Sequence, residues 1–331
     1  MKVWEGLDEV PADQRSVVTI GNFDGLHKGH RRVVSACVDR AKKRDASAVA
    51  ITFDPHPSAV HKPGEESLLI TSVPTRLEML ATTGLDATLV APYDAGLYNL
   101  SPAEFVTKYL VEGLGAVEVI VGEDFRFGKD NAGSIATLQE LGAKHGFSVA
   151  MVTDILSPTG RRWSSSWVRE LLAQGRVDEA ADILGHPYRV VGTVEHGVKR
   201  GRALGFPTAN LSGGRGVLAP ADGVYAGWLV RETKNQGGAQ EFLPAAISVG
   251  KNPQFEGEER TIEAHVLGRS DLDLYGEEVS ILFIKRLRPM GKFESVEALK
   301  DQMDEDLRQV AATLGARVTG RVDPTAVTAG L

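Results

Sequence analysis

A short apolar run, Val17-Val18-Thr19-Ile20, leads directly into Gly21-Asn22-Phe23-Asp24-Gly25-Leu26-His27-Lys28-Gly29-His30, and an amphipathic run from Arg31 to Lys43 follows. Such an apolar run suits a strand buried on both faces of a parallel sheet. The order strand, glycine-punctuated turn, helix is the place where doubly wound α/β sheets hold phosphates, because backbone N–H groups at a helix N-terminus point at the ligand. Gly25 and Gly29 permit close approach of the backbone. His27 and His30 fall on one side of a first helical turn, and each can donate a hydrogen bond to a phosphoryl oxygen. Two other readings compete: a metal-binding pair, or two surface histidines in an ordinary turn. The preceding strand, both glycines and Asp24 weigh against the ordinary turn. A zinc site wants a third and fourth ligand at suitable spacing, and Cys37, the one cysteine, lies inside the helical pattern.

The 331 residues suit two domains. Up to about 186, strand signals at 17–20, 48–53, 86–91, 117–121 and 147–152 alternate with helical stretches near 31–44, 74–83, 102–112 and 134–145. Ser101, Pro102 and Glu104 supply a cap, an N1 proline and an N3 carboxylate. Val177 to Leu184 reads as one more helix, with Gly185-His186-Pro187 as its stop. Regular alternation predicts a doubly wound, mostly parallel sheet covered on both faces. After Pro187 the pattern changes to β-like runs at 188–195, 223–231, 243–249, 261–267 and 278–286, which predict an antiparallel barrel or sandwich. Gln236-Gly237-Gly238-Ala239 reads as a hairpin tip. A terminal helix is marked by Val296, Leu299, Met303, Leu307, Val310 and Leu314. The expected division is 1–186, 187–319 and a loose tail, 320–331.

A net charge of −7 argues against broad phosphate neutralisation of nucleic acid. A single cysteine excludes an internal disulfide framework and fits a reducing compartment. The N-terminal stretch has no apolar core of the signal-peptide type, and no apolar run approaches the roughly 18 residues of a membrane helix. The expectation is a cytoplasmic protein without nucleic-acid or membrane partners, with self-association left open.

Three further stretches of the first half carry chemistry. Thr52-Phe53-Asp54-Pro55-His56-Pro57 ends a strand in a proline-fixed turn. In Gly122-Glu123-Asp124-Phe125-Arg126-Phe127-Gly128 two aromatics alternate with charge, either a stacking surface for a flat ring or a loop pinned by buried rings. Arg162-Trp163-Ser164-Ser165-Ser166-Trp167-Val168-Arg169 offers hydroxyls that cap a helix or bind phosphate, and Arg169 a fixed positive fork. The second half holds Gly197-Val198-Lys199-Arg200-Gly201-Arg202-Ala203-Leu204-Gly205-Phe206-Pro207-Thr208-Ala209-Asn210-Leu211. No Gly-x-x-x-x-Gly-Lys-Ser/Thr occurs in the chain, so a P-loop kinase is not expected. Backbone amides of such a loop can hold phosphates, though a plain flexible turn is the competing reading. Thr208 and Asn210 offer oxygen donors that suit Mg²⁺. In Thr261 to Leu267 the strand period puts Ile262, Ala264 and Val266 on one face, and Glu263 and His265 on the other. That second face is either a solvated surface or one carrying a general base for a hydroxyl nucleophile.

The Gly21–His30 segment resembles the His-x-Gly-His signature of the nucleotidyltransferase superfamily, in the form typical of bacterial bifunctional riboflavin kinase/FAD synthetases. The Phe-Asp-Pro-His-Pro, Gly-x-Asp-Phe-x-Phe-Gly and Ser-Ser-Ser-x-x-Arg segments are similar to that family's. Trp163 stands where the family has Ile, Ser166 where it has Thr, and Trp167 is bulky. His61 stands in a stretch where some relatives carry an aromatic. Residues 188–314 resemble the riboflavin kinase domain through Pro-Thr-Ala-Asn, Gly223–Gly227, Ser248–Phe255 and the Glu263 strand. The resemblance implies phosphorylation of riboflavin in the second half and adenylylation of FMN in the first, with ATP as co-substrate and Mg²⁺ as cofactor. It implies His27, His30, Arg169 and Glu263 as catalytic residues. ATP contacts follow at Gly21, Phe23, Asp24, Gly29, Ser164, Ser165 and Ser166, and in the kinase half at Gly197, Gly201, Arg202, Gly205 and Pro207. Flavin contacts are implied at Phe53, Asp54, His56, Asp124, Phe125 and Phe127, with Arg288 and Phe293 in a flap where Met290 replaces the usual acid. Thr208 and Asn210 are the implied metal donors. Adenylylation of another substrate and an inert flavin sensor are the alternatives; the chemical residues of the second half speak against the sensor.

Overall fold

The computed structural model describes residues 1–61, 68–153, 156–196, 205–212, 216–233, 239–251, 260–269 and 271–317. Its contacts divide the chain into two units, Met1–Ser165 and Ser166–Leu331.

The first unit is a six-stranded sheet built from β1 (Lys2–Trp4), β2 (Ser16–Ile20), β3 (Ser47–Asp54), β4 (Ala87–Pro92), β5 (Ala116–Gly122) and β6 (Ser148–Val152), in the order β1-β4-β3-β2-β5-β6. Every pairing is parallel. Alternate residues of one strand feed two cores. Val17 and Ala50 pack with Val34, Cys37, Val38 and Leu80, while Val18, Val49 and Ile51 pack with Phe105, Tyr109, Leu110 and Leu138. The first group lies under α1 (Lys28–Arg44) and α3 (Val73–Ala81). The second lies under α5 (Pro102–Phe105), the π-helical turn that continues it over Val106–Gly113, and α6 (Ile135–His145). Both faces are therefore covered, which is why the strands read as unbroken apolar runs. The capping box at Ser101 and Glu104 forms as its spacing predicts. Two short helices, α2 (Pro57–His61) and α4 (Ala95–Tyr98), complete the unit.

Helix α7 (Ser165–Ala173) opens at the last residue of the first unit, and α8 (Val177–Leu184) follows and ends at Gly185 in the left-handed conformation. The second unit is a closed antiparallel barrel of β7 (Tyr188–Glu195), β8 (Ala209–Ser212), β9 (Gly223–Thr233), β10 (Ala239–Lys251), β11 (Arg260–Val266) and β12 (Glu278–Arg288), ordered β10-β11-β8-β7-β12-β9. Closure by β9 against β10 leaves no free edge. Tyr188, Val190, Leu229, Ile247, Ile262, Ala264 and Phe283 fill the interior. Helix α9 (Val296–Leu314) lays Leu307, Val310 and Ala311 over Phe206, Ala226 and Leu267.

Among the described residues, several short elements escape the sequence reading. β1, at three residues, is too short to show a period, and α2 and α4 span little more than a turn. β8 lies in what reads as a polar loop; it takes its place from pairing with β7 and β11. The expected hairpin tip at Gln236-Gly237-Gly238 and the tail 320–331 lie outside the described residues.

Candidate active sites

In the first unit β2 delivers Gly21, whose amide donates to the Ile51 carbonyl on the neighbouring strand. The chain then turns through positive φ at Phe23, Gly25 and Leu26, at 49°, 77° and 37°. Two non-glycine residues hold this conformation because their side chains are fully buried in the core under α1. Asp24, 1% exposed, anchors the turn. Its carboxylate accepts from the amides of Ile70 and Thr71 and from Thr71 Oγ1 at 2.9–3.1 Å, while the Gly25 amide donates to that same hydroxyl. Asp24 is thus committed to a protein clasp, and the Phe23 ring lies edge-on to His30 at 5.5 Å. Neither Ile70 nor Thr71 was suggested by the sequence. Only the helix cap that follows at Ser72 is a local signal there.

His27 caps α1: its Nδ1 accepts the His30 amide at 3.3 Å. The accepting nitrogen carries no proton, so the neutral ring presents an Nε2–H. The rings of His27 and His30 stack at 3.6 Å. Gly29 lies close beneath the first ring: a Cβ there would stand 3.0 Å from the His27 imidazole and would press on it. Burial, assisted by the positive charge of Arg162, lowers the His27 pKa to about 4 against the pull of Asp24. His27 is therefore an uncharged donor at neutral pH. The unfolded chain binds a proton here below pH 6.5 and the fold does not until about pH 4, so this residue favours folding fully above pH 6.5 and withdraws that support as pH falls through the window. Denaturant midpoints of His27→Gln, set against the parent, are expected to lose that part of the acid slope between pH 6.5 and 4.

The Arg162–Ser165 segment meets this turn. Ser165 Oγ donates to the Asp24 carbonyl at 3.0 Å, Lys28 Nζ sits 4.8 Å from the Trp163 ring centroid, and Arg162 Nη2 reaches Asp124 Oδ2 at 2.7 Å. The tryptophan that departs from the family pattern thus stacks under a cation of the signature itself. Phe127 is 7% exposed and pinned over Gly133, where a Cβ would lie 2.7 Å from the ring; of that pair only Phe125, stacked on it at 5.4 Å, is partly open. The loop-pinned-by-buried-rings reading of this stretch therefore describes Phe127. Phe53 packs edge-on against Tyr93, which His61 contacts through a 2.8 Å hydrogen bond. Asp54 is exposed, and His56 bonds Ser58. Ser166 and Arg169 lie on α7 in the second unit's division.

In the second unit the barrel register brings separate stretches together. Asn210 on β8 and Ser248 on β10 both stand opposite Glu263 on β11. Thr208 Oγ1 donates to Glu263 Oε2 at 3.2 Å, and Asn210 Nδ2 to the Thr208 carbonyl at 3.4 Å. Glu263 stays half-buried while Ile262, Ala264 and Val266 point into the barrel, as the strand period requires. Gly205, at φ 91°, and Pro207 are buried beside this cluster. Gly197, Gly201 and Arg202 lie outside the described residues. Arg288 forms a bidentate pair with Asp306 on α9, at 2.8 and 2.7 Å, and its guanidinium lies 5.6 Å from the Phe293 ring centroid. Met290 rests its sulfur 3.8 Å from Ser248 Oγ.

The arrangement is two sites of different chemistry: hydrogen-bond donors around a phosphate-type turn in one unit, and a carboxylate with neutral oxygen donors in the other. A family model described as FAD synthetase matches residues 9–167, and one described as riboflavin kinase matches 184–314. The bifunctional riboflavin kinase/FMN adenylyltransferase of Escherichia coli (strain K12) is 33% identical over 300 residues, covering 91% of this chain and 93% of the relative. The chain belongs to the bifunctional riboflavin kinase/FMN adenylyltransferase family. The family member of Pseudomonas fluorescens is 34% identical over 320 residues, with 94% and 97% covered. A crystal structure described as a macrolide-efflux protein from Streptococcus pneumoniae has the same fold, at a TM-score of 0.82 and 30% identity, over 93% of this chain and 97% of that one. As a bifunctional riboflavin kinase/FMN adenylyltransferase, the chain carries FAD synthetase in its first half and riboflavin kinase in its second.

Proposed function

We propose that the two activities use opposite proton logic. Riboflavin phosphorylation starts from an alcohol. Glu263 accepts the proton of the terminal ribityl hydroxyl as its oxygen bonds to the γ-phosphorus of ATP and the bond to the β-bridging oxygen breaks, releasing ADP. FMN adenylylation starts from a phosphate already ionised near neutral pH. Its oxygen attacks the α-phosphorus, pyrophosphate departs, and no base is needed. His27, through Nε2–H, together with His30, Ser164 and Arg169, stabilises the charge that builds on the phosphoryl oxygens. Gly21, Gly29, Ser165 and Ser166 line the nucleotide there, with Asp24 and Phe23 holding the turn. Phe53, Asp54, His56, Asp124 and Phe125 face the flavin, and Phe127 backs Phe125. In the kinase half Gly197, Gly201, Arg202, Gly205 and Pro207 bind ATP, and Arg288 and Phe293 border the flavin. The functional division falls at 186/187, later than the contact division, because Arg169 on α7 belongs to the adenylyl-transfer signature.

The observation that most supports this reading is the Thr208–Glu263 hydrogen bond with Asn210 directly opposite Glu263. That donor set also fits Mg²⁺. A hydroxyl and an amide oxygen beside a carboxylate suit a hard cation held jointly with substrate phosphates. Among the described residues no group of three or more His, Cys, Asp or Glu could hold a metal alone. Bound there by Thr208 and Asn210, Mg²⁺ would neutralise charge on the transferring phosphoryl group. No helix among the described residues is long and apolar enough to cross a membrane, and with one cysteine we place the enzyme in the cytoplasm.

With riboflavin, label at the γ-phosphorus of ATP should appear in FMN and persist in FAD, whereas label at the α-phosphorus should appear in FAD and never in FMN; with FMN as the starting flavin, only the α-label should enter. Chelation of divalent cations should abolish both transfers and Mg²⁺ restore them. Turnover that persists in chelator would remove the metal assignment, and α-label entering riboflavin directly would remove the division of labour.

A further inference from the structure

His265 has no part in the chemistry above, yet it stands on the same outward face of β11 as Glu263, two residues on. It is 3% exposed, covered by Phe206, whose ring meets the imidazole edge-on at 5.7 Å. Its Nδ1 lies 2.7 Å from the Pro207 carbonyl oxygen. A carbonyl only accepts, so Nδ1 carries the proton and Nε2 is bare. Nε2 has no hydrogen-bond partner among the described residues. Burial lowers the pKa of the ring, in keeping with a neutral imidazole. A buried acceptor left unsatisfied is unfavourable, so an apolar side chain would serve mere packing better. What His265 adds is the Nδ1–H bond, and that bond ends on the residue immediately before Thr208.

Two side-chain bonds thus tie the turn Phe206–Asn210 to β11, beside the β8–β11 ladder that begins at Ala209. Glu263 takes the Thr208 hydroxyl and His265 takes the Pro207 carbonyl. The register adds Asn210 opposite Glu263. Residues Phe206–Thr208, just before β8, have no ladder of their own, so the His265 bond is what ties the Pro207 side of Thr208 to β11, while Asn210 and Glu263 hold it from the other side. We propose that His265 is a positioning residue of the riboflavin kinase reaction: its Nδ1–H bond to Pro207 sets the Thr208 hydroxyl in register with Glu263 for ATP with its divalent cation. The inference rests on the kinase-site reading of Thr208 and Glu263.

The test separates donor position from volume. An asparagine amide nitrogen stands the same two bonds beyond Cβ as Nδ1, whereas a glutamine nitrogen reaches one bond further, toward the Nε2 position. H265N is expected to keep the KM for Mg-ATP in riboflavin phosphorylation within about threefold of the parent. H265Q and H265L are expected to raise it about 10- to 100-fold, with a smaller fall in kcat, as small misplacements of a positioning group do. FMN adenylylation, measured on the same samples, should not move. Equal KM values for H265N and H265L, whether both parental or both impaired, overturn the assignment. On the unmodified protein, long-range proton–nitrogen NMR at neutral pH, assigned through backbone correlations, should find the His265 proton on Nδ1. A proton on Nε2 overturns it without any variant. E263Q in the same panel separates the two claims. An active E263Q removes the kinase-site reading and this inference with it, whereas an inactive E263Q beside a fully active H265L removes this inference alone.

Discussion

Glu263→Gln is expected to lower kcat for riboflavin phosphorylation by about 10²- to 10⁴-fold, the span a positioned general base contributes. That loss corresponds to roughly 3–5 kcal/mol of barrier. FMN adenylylation on the same sample should be unchanged, since its nucleophile arrives ionised. The substitution is chosen to leave the fold alone. Glutamine keeps the length, and its amide oxygen can still accept the Thr208 hydroxyl that Glu263 accepts at 3.2 Å. β11 also keeps its pairing to β8 and β10 on both sides. Only the capacity to take a proton is lost. The check is initial-rate kinetics for each half-reaction with its own flavin. An E263Q protein that phosphorylates riboflavin at the parental rate would show that the proton leaves by another route.

The mirror experiment is His30→Ala. Loss of one preorganised donor to a developing charge costs about 10²- to 10³-fold in kcat, or roughly 3–4 kcal/mol. That is the expected fall in FMN adenylylation, with riboflavin phosphorylation as the internal control. His30 is a cleaner target than His27. His27 caps α1 and is buried, so its removal also costs helix stability, about 1 kcal/mol for a lost cap. The His30 amide that His27 accepts belongs to the backbone and survives the change to alanine. His30→Ala does lift one ring from the His27 stack, so a parental Tm is the second readout required. If both activities fall together in a protein with that Tm, independent chemistry in the two halves is wrong.

Elements with strong local patterns were legible from the residues alone. The Val17–Ile20 run, the Ser101 cap, the Gly185 stop and the alternation around Glu263 all match the structure. Each is a nearest-neighbour effect: side-chain period, capping geometry or a left-handed glycine. The polar partners were not legible in the same way. Asp24 reads as an ATP contact or as a carboxylate that orients backbone amides; that the amides it holds belong to Ile70 and Thr71, 46 and 47 residues away, is not written in any local spacing. For Phe125 and Phe127 the sequence leaves a stacking surface and a loop pinned by buried rings equally open, and only packing over Gly133 puts Phe127 with the second. Trp163 reads as a departure from a motif and is stacked by Lys28.

From the order of residues alone came the change from alternating β/α to antiparallel β near Pro187, the histidine pair at a helix start, and the face of β11 that carries Glu263. Tertiary structure alone decided that Asn210 stands opposite Glu263, that Arg162 reaches Asp124, and that His265 bonds the Pro207 carbonyl 58 positions away. The physical reason is range. Periodicity and caps are set within one or two turns of chain, whereas these bonds exist only after a sheet is wound or a barrel closed in one register, and no local spacing encodes that register.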